Sequence, residues 1–239
     1  MRRYIYFVFL LCCAVNLLLT SCVRQKYVVM DMVHHNPGEA MTESKFLDPS
    51  FLKKNEYGAK VFFLFEAAQF GIDWKSFDPS LFPDTTEAGR WVAEKAEIIH
   101  KKYDAAKKED LQVYCMLDML VLPSLLVEKH RTELTNEQGK LDISKPYTQL
   151  CIRELMKEMF ETFPQLDGLV IRTGETYLHD APYYVGNHPV QNGMYDHITL
   201  INLLREEVCE RRNKKLFYRT WDMGQLHSIP KYYLSVTDS

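Results

Sequence analysis

The sequence predicts an α/β fold of the (β/α)8-barrel type, with only the first five or six strand–helix units present. Five apolar runs recur along the chain, at residues 27–31, 60–66, 111–118, 168–175 and 216–222. They are nearly continuous rather than alternating, as strands covered on both faces are. Amphipathic helical patterns separate them, and strand–helix–strand order implies parallel strands joined by right-handed crossovers. Each run closes on an acid: Asp31, Glu66, Asp118, Glu175 and Asp222. Polar groups at the C-terminal ends of successive strands, facing one mouth, fit a barrel. An open doubly wound sheet would announce a nucleotide site with a glycine-rich turn after its first strand. Here that loop reads Met32-Val33-His34-His35-Asn36-Pro37-Gly38, with neither G-x-G-x-x-G nor a P-loop.

Composition supports a packed α/β domain. Hydrophobic residues make up 46% of the 239 positions and charged residues 26%, which excludes a disordered chain. The formal charge of −3 comes without a basic stripe, so a nucleic-acid partner is not expected.

The N-terminal segment is an address rather than part of the fold. Met1-Arg2-Arg3 is a positive start, residues 4–19 are apolar, and Leu19-Thr20-Ser21-Cys22 follows. Small residues ahead of a cysteine resemble the lipobox of bacterial lipoprotein precursors. The apolar stretch is short for a membrane span, which needs about 20 residues, and the position of Cys22 fits cleavage. Residues 1–21 are thus read as a signal peptide, 22–26 as a short lipidated tether and 27–239 as the partial barrel. Several acyl chains on Cys22 give stable membrane anchoring where one does not. Val23 stands where inner-membrane lipoproteins carry an acidic retention residue, so the resemblance implies the outer membrane. Cys115, Cys151 and Cys209 remain in the domain, each within an apolar pattern, and read as buried inert thiols.

The helices follow from periodicity. Residues 84–108 place Ala88, Val92, Ala96, Ile99 and Tyr103 on one face, with Asp84 and Glu87 spaced as cap and third helical residue. Residues 144–163 carry Tyr147, Cys151, Leu155, Met159 and Phe163, with Pro146 in the first turn, where its missing N–H is harmless. Residues 197–213 carry Ile201, Leu204 and Val208, with Asp196 as the cap. The charge runs 107–110 and 211–215 read as solvated helix ends. Five strands consume the chain where a closed barrel needs eight, so the expectation is a truncated form of a longer protein.

Carboxylates gathered at one mouth are the equipment of glycoside hydrolysis. Glu175 is the sharpest candidate. It follows Gly174, which permits close approach, and Arg172, which could hold a carboxylate by charge-assisted hydrogen bonds. Tyr177, His179, Asp180, Tyr183 and Tyr184 follow in a loop suited to sugars. Asp31 with His34 and His35, Glu66 with Trp74 as a stacking wall, Asp118, and the pair Trp221-Asp222 are further substrate contacts. The histidines do not reach zinc spacing and no H-E-x-x-H occurs, so no metal or other cofactor is expected. No G-x-S-x-G supports serine catalysis.

The run from Asp167 to Tyr177 resembles the fourth-strand region of (β/α)8 glycoside hydrolases, in which a Glu after that strand serves as general acid. The leader followed by a barrel is similar to polysaccharide-processing lipoproteins of Gram-negative gut bacteria, with α-glucuronidase-like barrels the nearest comparison. The resemblance implies a carbohydrate substrate and Glu175 as the acid. It departs in having Gly174-Glu175 where the large hydrolase superfamily has Asn-Glu. The second catalytic carboxylate of such enzymes belongs to a later strand than this chain holds. Two alternatives use the same residues: a noncatalytic, lipid-anchored glycan-binding protein with Trp74, Trp221 and the tyrosines as platforms, and a structural lipoprotein whose acids cap strands.

The lipobox reading predicts that the mature protein partitions into detergent and that Cys22→Ala releases or stalls it. Recovery of an unlipidated, freely soluble protein from wild-type cells contradicts it.

Overall fold

The computed structural model describes residues 28–31, 45–63, 66–173, 176, 178, 180–191 and 193–219, apart from the side chain of Asp31. In chain order the strands are β1 (Met30–Asp31), β2 (Ala59–Phe62), β3 (Gln112–Asp118), β4 (Val121–Pro123), β5 (Gly168–Arg172), β6 (Tyr184–Gly186) and β7 (Lys215–Tyr218). The helices are α1 (Pro49–Lys54), α2 (Glu87–Lys108), α3 (Ser124–Lys129), α4 (Arg131–Leu134), α5 (Pro146–Thr162) and α6 (Met194–Leu204). A π-helical stretch, Arg205–Glu210, continues α6.

Each of the five apolar runs contributes a strand, and all five join one parallel sheet in the order β1-β2-β3-β5-β7. Spatial order therefore equals chain order, with no switch point. Right-handed crossovers that always step the same way put every helix on one face. The core agrees. Phe62, Val113, Cys115, Leu117, Leu169 and Ile171 pack with Val92, Ile99 and Tyr103 of α2, Cys151, Leu155 and Met159 of α5, and Leu200 and Leu204 of α6. Alternate strand residues point the other way, where Ala59, Val61, Tyr114, Met116 and Val170 form a smaller cluster. Phe217 meets Tyr114 edge-on at 5.4 Å on that side. The described residues thus form a five-stranded parallel sheet with helices on one face, and not a closed barrel.

The helices form where the apolar spacing places them. Ile99 is fully buried on α2, and burial of a side chain of that size contributes about 1.5–3 kcal/mol. Pro146 opens α5 at its first turn. Two caps differ from expectation. The α2 cap is Thr86, whose Oγ1 accepts the Gly89 N–H at 3.0 Å, because Asp84 is two residues too early and pairs with Lys75. Asp196 lies inside α6, accepting the Gln191 N–H at 2.5 Å. The charge run at 211–215 is also only partly solvated. Arg211 and Arg212 join Arg153 around the buried Glu207 carboxylate, at 3.2, 2.8 and 2.5 Å respectively.

The strand-following loops hold structure that the apolar pattern does not announce. Beyond β3 and β5 the chain pairs antiparallel as β4 and β6. Tyr184 sits in this layer 5% exposed, against Phe70 at 5.0 Å and Phe82 at 5.7 Å. Trp74 is fully buried with φ 58°, so it is core and not the stacking wall its sequence position suggests. Lys129 of α3 reaches back to Asp78 at 2.8 Å, and that bond, with one from Ser80, lowers the Asp78 carboxyl to about 2.

Gly168 marks the closest approach of β5 and β7. A Cβ there would lie 2.1 Å from the Lys215 carbonyl oxygen. Gly168→Ala is therefore expected to destabilise the fold by about 1–3 kcal/mol through overpacking, read as a lowered urea midpoint. An unchanged midpoint contradicts this packing.

Candidate functional site

All five parallel strands end at one edge of the sheet, so the residues at their C-termini share one end of the molecule. In β3, Tyr114 and Met116 face away from the helices, and by period-two alternation Asp118 does too. In β5, Val170 and Arg172 do the same. The register sets Asp118 directly opposite Arg172.

These two side chains form a forked ion pair. Arg172 Nε donates to Asp118 Oδ1 at 2.5 Å and Nη2 donates to Oδ2 at 2.6 Å. The side chains are 7% and 5% exposed, so the pair is desolvated and its geometry is fixed on rigid strands. The Phe63 ring lies under the guanidinium, 4.6 Å from its carbon to the ring centroid. Beyond β7, Arg219 donates its backbone N–H to Ile171 O at 2.9 Å and accepts the Thr173 hydroxyl on its own carbonyl at 3.3 Å. That ladder bond puts Arg219 beside Arg172, with Nη1 3.8 Å from Met116 Sδ. Arg219 belongs at this edge, and its signal in the sequence was a cation inside the fifth apolar run.

Arg172 was expected to hold a carboxylate, and among the described residues it grips Asp118, which strand register sets opposite it. Glu66 occupies the same end but is fastened to the helical layer. Its carboxylate takes Lys102 Nζ of α2, and its backbone carbonyl accepts the Tyr103 hydroxyl at 2.9 Å. Asp31 closes β1 by its backbone. His34, Glu175, Tyr177, His179, Trp221, Asp222 and the lipidation residue Cys22 lie outside the described residues.

The thiols behind this edge are not nucleophiles. Burial pushes Cys115 and Cys151 up to about 12, so both stay protonated at neutral pH. Cys115 instead accepts the Ala68 N–H at 3.2 Å, tying the turn after β2 to β3. Among the described residues no three potential metal ligands cluster.

The arrangement makes a dry, charge-balanced platform. Arg172 and Asp118 face one another as a paired cation and anion. Removing one partner strands the other charge in a desolvated site. Asp118→Ala is expected to cost about 3–5 kcal/mol, whereas the joint change Asp118→Leu with Arg172→Met recovers most of that loss. Urea denaturation of the three proteins checks this. A single variant within about 1 kcal/mol of wild type, on the same scale, means the pair is not desolvated.

No family model matches the chain, and no curated protein matches its sequence. Among solved structures it is similar to a noncanonical maltogenic α-amylase from Thermotoga neapolitana, with 12% identity and a TM-score of 0.45 over 82% of this chain and 46% of that one. It is also similar to the galactosidase domain of an α-galactosidase–sucrose kinase, at 14% identity and TM-score 0.41, over 72% of this chain and 23% of the other. A GH138 enzyme targeting pectin rhamnogalacturonan II gives 16% identity and TM-score 0.36, over 55% and 14%. The chain thus spans less than half the length of each of these structures.

Proposed function

We propose that this chain is a lipid-anchored protein of carbohydrate processing, with a glycoside hydrolase mouth at the C-terminal edge of its parallel sheet and Glu175 as general acid. The observation that carries this reading is the Asp118–Arg172 pair, which ends β5 three residues ahead of Glu175. A glycosidic oxygen leaves poorly unless protonated, so the acid must stay neutral near pH 7. A lone arginine beside it would oppose that by favouring the carboxylate. Asp118 takes up part of the Arg172 charge, and Glu175 is proposed to draw a raised pKa from apolar surroundings.

The same geometry limits other roles. Asp118 pairs with Arg172 and Glu66 with Lys102, so each enters the mouth as part of an ion pair and not as an isolated carboxylate. Asp31, His34, Tyr177, His179, Trp221 and Asp222 are proposed as sugar contacts around the mouth. Cys22 is proposed as the site of lipid attachment, which holds the domain at the outer membrane.

Glu175→Gln is expected to reduce turnover of natural glycosides by about 10²- to 10⁴-fold. The loss is expected to be much smaller on an activated aryl glycoside, whose leaving group needs little protonation. Equal losses on both substrates make Glu175 a structural or binding residue, and no loss on either removes it from the site.

A further inference from the structure

Away from the strand-edge pair, the loops after β2, β3 and β5 enclose a groove of about 360 Å³. That volume falls within the range of small-ligand sites, about 300–1,000 Å³. Its apolar surfaces include Pro83, Pro123, Leu125 and Tyr183, and its polar ones include Ser124 and Glu128. Tyr183 is held in place before any ligand arrives. Its ring stands edge-on to Trp91 at 5.7 Å and 74°.

Glu128 is the charged residue of the lining. It is exposed and has no ion pair or hydrogen bond among the described residues. Lys129 is engaged with Asp78 and Lys75 with Asp84, while Arg90, near Tyr183, donates to the Thr85 carbonyl at 3.2 Å. The groove therefore offers fixed ring surfaces beside one uncompensated carboxylate, which disfavours an anionic ligand. Flat apolar rings accept the C–H face of a pyranose. A carboxylate accepts strong, charge-assisted hydrogen bonds from hydroxyls, and Ser124 supplies a hydroxyl that donates or accepts.

We infer that this groove is a second saccharide site, taking a short neutral oligosaccharide apart from the proposed hydrolytic mouth. The inference rests on the carbohydrate reading of the chain. It assigns no chemistry to the groove, only retention of a glycan near the edge where cleavage is proposed. Tyr183 and the prolines carry the ring faces, and Glu128 with Ser124 selects for hydroxyls.

The test is calorimetric titration of the full chain with cellotetraose, xylotetraose and maltotetraose, and with tetragalacturonate as the anionic probe. Wild type is compared with Glu128→Ala, Leu125→Asp and Glu175→Gln. Leu125 and Glu128 are exposed, so the first two changes leave the core intact. At least one neutral probe is expected to bind, with tenfold or greater weakening in Glu128→Ala and Leu125→Asp and no change in Glu175→Gln. Absence of binding by every neutral probe, tighter binding of tetragalacturonate, or indifference to both groove changes overturns the inference. Turnover of glycosides without groove binding overturns the groove alone. Groove binding in a chain that turns over no glycoside overturns the hydrolase reading alone.

Discussion

Asp118 and Arg172 meet through two hydrogen bonds across adjacent parallel strands, in a place nearly closed to water. Burying two charges is expensive, and such a pair is seldom a large net source of stability. Its effect here is on register. A slip of β5 by one residue would carry Arg172 to the helix face and leave Asp118 buried without its partner. At the other end of β5, Gly168 leaves room for the Lys215 carbonyl of β7 and for nothing larger. β5 is thus fixed on one side by a charge and on the other by a missing side chain. Everything that follows β5 departs from the sheet at the height this sets.

The sheet separates two kinds of interior. On the helix face, α2, α5 and α6 bury a continuous apolar core, and that face alone is enough to order the strands. On the opposite face the cluster is small and gives way, toward the strand C-termini, to Phe63, Arg172, Asp118 and Arg219. The described parts of the loops after β2, β3 and β5 do not hang free above this edge. They pack on one another through Trp74, Phe70, Phe82 and Tyr184 and through the β4–β6 pair. Rigid loops at strand ends are what a binding or catalytic edge requires, since its groups must be held before the ligand arrives.

Much of this was legible in the sequence. The five strands all lie in apolar runs, and the helical stripes of α2 and α5 pack the residues their spacing selects against the core, because period and burial are set by the same geometry. What escaped depends on contacts between distant segments. Trp74 and Tyr184 follow strand ends, as sugar-stacking aromatics do, yet both are core: Phe70 and Phe82 of the loop after β2 cover Tyr184, and Trp74 is fully buried beside Phe77. The bond from Arg172 to Asp118 spans 54 residues of chain, a distance over which no local pattern runs. Thr86 and Asp84 are both cap-forming types, and only backbone position decides between them. The strands β4 and β6 are three residues each and carry no periodic signal at all. At the site, Asp118 and Arg172 were both named from the sequence, but their bond to each other was not, and Arg219 was missed.

The central claim is that ligand chemistry takes place at the C-terminal edge of the sheet. Backbone amide hydrogen exchange tests it most directly, using full-length Glu175→Gln protein with and without a natural glycan that the wild-type chain hydrolyses. The account predicts slowed exchange at residues 119–120 and 172–173, which follow the Asp118–Arg172 pair, and unchanged exchange at Gln112 and Gly168 on the opposite edge. Protection confined to the Gln112–Gly168 edge, or none at residues 119–120 and 172–173 under saturating glycan, would contradict it.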